Sequence, residues 1–134
     1  MRVLGLDIGD KRVGVALSDP QGILASPLTI IDRIDDQADM EAILAIIKQN
    51  EVRRIIVGLP LSMDGSLGEQ AKKVKAFAQK LSDHTEVPIE FRDERLTTVS
   101  AQRLMRDLRK TRKARDDAVA AALILQSYLD EVSS

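Results

Sequence analysis

Three places in this 134-residue sequence carry acidic side chains where an ionised group needs a partner. Asp7 closes the short apolar run Val3-Leu4-Gly5-Leu6, and a carboxylate at the end of a buried strand is costly unless it finds a cation, a hydrogen-bond network or solvent. Asp93 and Glu94 stand at the end of another strand, flanked by Arg92 and Arg95, and Asp116 and Asp117 begin the last helix. Each place has an ordinary explanation: a turn-capping aspartate before Ile8-Gly9, a surface ion-pair cluster, an acidic first helical turn. Asp116 and Asp117 cannot both cap, however, so one of them is available to face the sheet, one turn before Ala120 and Ala121. Carboxylates gathered from separate elements suit one chemistry well. Two hard metal ions about 3.5–4 Å apart can activate water and stabilise the leaving oxygen of a phosphodiester.

The absences agree with that chemistry. There is no cysteine, which excludes disulfides, thiolate metal sites and cysteine nucleophiles, and His84 is the only histidine, which disfavours a zinc site. A metal must then be held by oxygen, which points to Mg2+ or Mn2+. His84 itself reads as a surface residue in a turn.

Other segments suggest contact with phosphate. Asp7-Ile8-Gly9 followed by Lys11 and Arg12 resembles a phosphate-contacting hairpin. Gly58-Leu59-Pro60-Leu61-Ser62-Met63-Asp64-Gly65 reads as a loop between a strand and a helix. Such a loop can offer backbone N–H groups to a phosphate, or it can be a plain connection with a Pro and a Gly turn. Between positions 101 and 115 lie Arg103, Arg106, Arg109, Lys110, Arg112, Lys113 and Arg115 against the single acid Asp107, although the whole chain has a net charge of −1. That segment suits salt-sensitive contact with a nucleic-acid backbone, its alternative being a solvated helix face and loop. Phe77, Phe91 and Tyr128 are the only aromatics, so there is no stacking platform for bases, and the core must be aliphatic.

The elements that position these residues follow from periodicity. Val3 to Leu6 reads as a buried strand, Gly9-Asp10-Lys11 as a turn and Arg12 to Leu17 as the returning strand of a hairpin. After a turn at Pro20-Gln21-Gly22 a third strand lies around Ala25 to Ile31. Met40, Ile43, Leu44 and Ile47 have helical spacing, with Asp36 or Asp39 as the cap. Arg54 to Val57 is a strand ending at Gly58. Ser66 and Glu69 have capping-box spacing before a helix with the stripe Ala71, Val74, Ala78 and Leu81. Pro88 opens the strand Ile89 to Arg92. A helix runs from about Thr98, with Thr97 and Thr98 as caps, and after a basic loop Ala118 to Leu129 forms the last helix. The order predicts an α/β fold in one domain spanning residues 1–134. Its mixed five-stranded sheet has three antiparallel strands followed by two parallel ones, with helices on both faces. Sites in such sheets lie beyond the carboxyl ends of parallel strands, where Asp7, the 58–65 loop and Asp93/Glu94 all fall. The short N-terminal run reads as a strand and not a signal peptide. No segment is long enough to span a bilayer, and a cytoplasmic protein is expected.

The motif Gly5-Leu6-Asp7-Ile8-Gly9-Asp10-Lys11-Arg12-Val13-Gly14-Val15-Ala16 is similar to the opening hairpin of the YqgF (RuvX) family of pre-16S rRNA nucleases, also called Holliday-junction-resolvase-like proteins. Ile56 to Gly65, then Asp93-Glu94-Arg95-Leu96-Thr97-Thr98, then Asp117 with Ala121 and Ile124 to Leu129, continue the resemblance across essentially the whole chain. The resemblance implies a ribonuclease H-like fold and maturation of the 5′ end of the 16S rRNA precursor with Mg2+ or Mn2+. It places the acidic ligands at Asp7, Glu94 and Asp117. Asp116 is an extra acid beside the last of these and a substitute for it, and Ser62 stands where many members have Asn.

Three functions compete. A metal-dependent nuclease uses Asp7, Glu94 and Asp117 on the metal and Lys11, Arg12, Arg95 and the basic residues 109–115 on the strand; its substrate is RNA or, as in a junction resolvase, DNA. A non-catalytic nucleic-acid-binding factor on the same fold is the second. An actin-like ATPase is the third, but it needs two related domains around a cleft, and no second phosphate hairpin is visible. The sequence leaves a homodimer open.

Overall fold

Alternation along the strands sorts the sheet into two faces, and each face has its own helices. The computed structural model describes residues 1–112 and 116–133, with the side chains of residues 100 and 108–117 outside that description. Strands β1 (Arg2–Ile8), β2 (Arg12–Ser18) and β3 (Ala25–Asp32) form an antiparallel meander. Helix α1 (Asp36–Gln49) leads to β4 (Val52–Leu59), which pairs parallel to β1, and α2 (Glu69–Ser82) leads to β5 (Ile89–Asp93), parallel to β4. A 3-10 turn (Glu94–Leu96) and helices α3 (Val99–Arg112) and α4 (Asp116–Ser133) complete the chain. The strand order is β3-β2-β1-β4-β5, the mixed sheet expected from the element order.

One face carries Leu4, Leu6, Ile8, Val13, Val15, Ile55 and Val57, packed against Met40, Ile43 and Ile47 of α1 and Val74, Phe77 and Leu81 of α2. Full burial of such side chains contributes about 1.5–3 kcal/mol each. Phe77 is the one aromatic of this core, as the composition requires. The intervening residues Gly5, Asp7, Gly14, Ala16, Ile56 and Gly58 point the other way, by the period of two. There Ala16 and Ile56 meet Met105 of α3 and Val119, Ala121, Ala122 and Leu125 of α4. Small residues on both sides let α4 lie close to the sheet. A Cβ on Gly5 would stand 2.8 Å from the Cβ of Leu125 and 3.0 Å from the carbonyl oxygen of Ala121. Neither atom is the free end of a flexible chain, so Gly5→Ala is expected to lower stability by about 1–3 kcal/mol, the range for overpacked cores. Chemical denaturation checks this, and an unchanged midpoint would show that α4 yields without cost.

Several local expectations change. The cap of α1 is Asp35, whose side chain accepts from the Ala38 N–H, not Asp36 or Asp39; Asp39 is buried and serves Arg33 instead. Ser66 and Glu69 form no capping box: α2 starts from Gly68 without a side-chain cap, because Ser66 is already bound to Asp64. Strand β4 does not stop at Val57 but continues through Gly58 and Leu59, which pair with Arg92 and Asp93. Thr98 caps α3 through the Ala101 N–H, as expected. The basic stretch is not a loop up to Arg112; residues 103–112 continue α3, with Arg103 and Arg106 exposed opposite the buried Ala101 and Met105.

Candidate active site

Asp7 is the penultimate residue of β1, half-buried, held opposite Gly14 in the β2 ladder and on the face covered by α4. Glu94 begins the 3-10 turn just past β5, two strands away. Neighbouring strands lie about 4.8 Å apart, so a side chain leaving β5 for β1 must pass over β4. It passes at Gly58. A Cβ there would lie 2.7 Å from a carboxyl oxygen of Glu94, 3.1 Å from its Cγ and 2.4 Å from the Cδ1 of Ile124. The missing side chain of Gly58 is the gap through which Glu94 reaches Asp7.

The turn that aims Glu94 is tightly held. The Asp93 carboxylate accepts from the Arg95 N–H at 2.9 Å and from the Arg95 guanidinium at 2.7–3.0 Å. Arg95 also donates to the carbonyls of Ser62 (3.4 Å) and Met63 (3.1 Å), and the Thr97 hydroxyl donates to the Glu94 carbonyl at 3.0 Å. The two adjacent acids therefore have separate jobs: Asp93 takes the ion pair and Glu94 turns inward. Arg95 holds Asp93 below the usual carboxylate range, first through its side-chain hydrogen bond.

Glu94 behaves in the opposite way. Burial, then the charge of Asp7 and a side-chain hydrogen bond with it, raise its carboxyl to about 7. Two carboxyl groups can hydrogen-bond only if one keeps a proton, so the pair holds a shared proton in acid and gives it up as pH rises through about 7. A raised carboxyl pKa weakens the fold as the unfolded chain ionises first: stability is highest below the ordinary value of 4.5 and falls as pH rises to about 7. The lowered carboxylates Asp19, Asp36, Asp64 and Asp93 act in the other sense and lose their contribution only below about their ordinary 3.8. In chelator, the melting temperature of the wild type is expected to fall between pH 5 and 7.5 more than that of Glu94→Gln. Parallel pH profiles for the two proteins would mean that Glu94 is not held protonated.

The remaining sequence candidates are placed as follows. Asp116 and Asp117 lie in the first turn of α4, Asp117 four residues before Ala121, and their side chains are outside the description. Among the described residues, no group of three or more acidic or histidine side chains gathers as a metal cluster. Lys11 and Arg12 are exposed at the β1–β2 hairpin. Arg109, Lys110 and Arg112 lie on α3 with side chains outside the description, as Lys113 and Arg115 are altogether. Gly58 belongs to β4 and not to the loop. Pro60, Ser62, Asp64 and Gly65 are in the loop, and its N–H groups close on itself: Ser62 donates to Ser66, Gly65 to Ser62, and Ser66 to Asp64. The gap at Gly58 depends on a long-range contact, and its only signal in the sequence is the parity Gly58 shares with Ile56 against Val57.

The fold has counterparts among solved structures. Thermus thermophilus RuvC in complex with a Holliday junction substrate superposes with a TM-score of 0.72 at 14% identity, covering 100% of this chain and 96% of that one. The fowlpox virus resolvase bound to junction DNA gives 0.63 at 12% identity, with both chains covered in full. The fold so defined is ribonuclease H-like. Within it, a family model described as "RuvX: Holliday junction resolvase" matches residues 1–131, and the chain belongs to the RuvX family, whose members are hydrolases of phosphodiester bonds. A Roseiflexus relative is 48% identical over 132 residues, 96% of this chain and 94% of its own. A Dehalococcoides mccartyi relative is 52% identical over 127 residues, 94% and 96% respectively. Both carry the provisional name pre-16S rRNA nuclease.

Proposed function

We propose that this protein is a divalent-metal-dependent nuclease that trims the 5′ end of the 16S rRNA precursor. The observation that carries the metal-dependent reading is the pairing of Glu94 with Asp7 across Gly58, in which two carboxyls crowd together and retain a proton. An all-oxygen donor set in which crowding raises one carboxyl to about 7 fits a hard dication, which satisfies both carboxylates without the proton. Mg2+ or Mn2+ held by Asp7, Glu94 and Asp117, with Asp116 the neighbouring substitute, would supply a lowered water pKa and stabilise charge on the leaving oxygen. Asp7 offers the rigid ligand because the β1 ladder fixes its backbone. Glu94 offers the adjustable one, reached over Gly58 from a turn fixed by Asp93 and Thr97. Lys11 and Arg12 at the hairpin and the basic residues of α3 and beyond, through Arg115, bind the substrate backbone, and Arg95 holds the 60–65 loop beside the site.

The names of the relatives support the ribosomal substrate. A ribosomal role would put the protein in the cytoplasm. A homodimer would present two such sites. The test is incubation with pre-16S rRNA, single-stranded RNA and a four-way DNA junction, each with Mn2+, Mg2+ or chelator. The proposal expects metal-dependent shortening of the precursor at its 5′ side. Cleavage of the junction alone would redirect it to DNA, and no cleavage of any substrate with either metal would contradict it.

A further inference from the structure

Arg33 follows β3, and its side chain is only 19% exposed. Its backbone N–H donates to the carbonyl of Lys11 at 2.9 Å, and its guanidinium donates to the carbonyl of Gly9 at 3.0 Å. One residue thus binds the turn that follows Asp7 at two of its carbonyls, Gly9 and Lys11. The same guanidinium donates to Asp39 and to Asp36, each at 2.9 Å, and lies 4.9 Å from the centre of the Phe77 ring. Of these anchors Asp39 is buried and Asp36 is tied in turn to a second helix. The Asp39 side chain is 2% exposed and also accepts the Ile34 N–H at 3.1 Å, while Asp36 is joined to Lys80 of α2 at 2.6 Å. The turn itself is closed by the Gly9 N–H donating to the Arg12 carbonyl at 2.9 Å.

We propose that Arg33 is a positioning residue for substrate binding: it fixes the Gly9–Arg12 turn to the α1–α2 layer and so sets where Lys11 and Arg12 meet the nucleic-acid backbone. The inference rests on the reading of Lys11 and Arg12 as phosphate contacts. It separates two parts of the site, because Asp7 lies in the β1–β2 ladder opposite Gly14, whereas Arg33 binds the turn beyond that ladder. A fork with several fixed donors performs this task, and a lysine cannot: its single ammonium can stay beside Asp39 but cannot also reach Asp36 and the Gly9 carbonyl. Arg33→Lys keeps a cation next to the buried Asp39, which avoids the uncompensated charge that an apolar substitution would leave.

The experiment measures kcat and KM for a labelled pre-16S RNA fragment in Mn2+, Mn2+ affinity, and RNA affinity across a salt series in chelator. For Arg33→Lys the expected result is a KM raised about tenfold, as for loss of a supporting contact. Over the same series its salt slope becomes shallower by about 1. kcat and Mn2+ affinity stay near wild type. In a Lys11→Ala/Arg12→Ala background, which has a raised KM of its own, adding Arg33→Lys changes little more. Asp39→Asn, which loosens the same anchor from the other side, is expected to shift KM in the same direction. A folded Arg33→Lys protein with unchanged KM and salt slope overturns the inference, as does a loss confined to kcat that follows the unfolded fraction. If the Lys11/Arg12 double variant binds RNA like the wild type, the phosphate-contact reading fails as well, and that outcome is distinct from a failure at Arg33 alone.

Discussion

Asp7→Asn is expected to slow cleavage by at least about 100-fold, beyond the 10–100-fold typical of residues that only support a metal ligand, while RNA binding changes little. The amide keeps the shape of Asp7 and can donate to Glu94, so the β1–β5 contact survives without like-charge repulsion. Two further results follow from that geometry. Glu94 should regain a lower pKa, since the Asp7 charge is one of the causes that raise it. The variant should also melt no lower than the wild type at pH 8 in chelator. Loss of activity in a fold that is equally or more stable is the signature of a functional acid held at a cost. Cleavage at the wild-type rate would remove Asp7 from the chemistry.

Gly58→Ala carries the second large effect. Its new methyl group would stand 2.7 Å from a Glu94 carboxyl oxygen and 2.4 Å from the Cδ1 of Ile124. Ile124 is the end of a flexible side chain and can move; its displacement is expected to lower stability by about 1–3 kcal/mol. Glu94 can move only by leaving Asp7. Activity should therefore fall by about 10–100-fold. The two effects separate in the double variant Gly58→Ala/Ile124→Val, in which the smaller side chain restores much of the stability and none of the activity. Recovery of both together would mean that the role of Gly58 is packing alone.

What could be read from the sequence follows a physical boundary. Apolar runs and alternation are local properties, so the three antiparallel strands, the two later strands and the acids at their ends are legible in the sequence. The core's aliphatic character followed from three aromatics in the whole chain. Choices that depend on neighbours distant in sequence were not legible. Ser66 and Glu69 have the spacing of a capping box, but Asp64 competes for Ser66 and wins. Asp93 and Glu94 are adjacent and chemically alike; only the hydrogen bonds of Asp93 with Arg95, and the gap at Gly58, decide which one turns to Asp7. Gly58 reads locally as the start of a loop because glycine so often marks one, yet it is a strand residue whose missing Cβ makes room for another residue's side chain. Arg33 carries no local signal, because its partners Gly9, Asp36, Asp39 and Phe77 come together only when β3, α1 and α2 pack on the hairpin.

The central claim is that Asp7 and Glu94 give up a shared proton to hold one divalent ion. Mn2+ binding at pH 7, followed by paramagnetic resonance of the free ion together with proton release in weak buffer, measures it most directly. The expected result is saturable Mn2+ binding, displaced by Mg2+, that releases a proton in the wild type and is weakened about 100-fold in Asp7→Asn and Glu94→Gln. Wild-type Mn2+ affinity in both variants, with no proton released by the wild type, would contradict it.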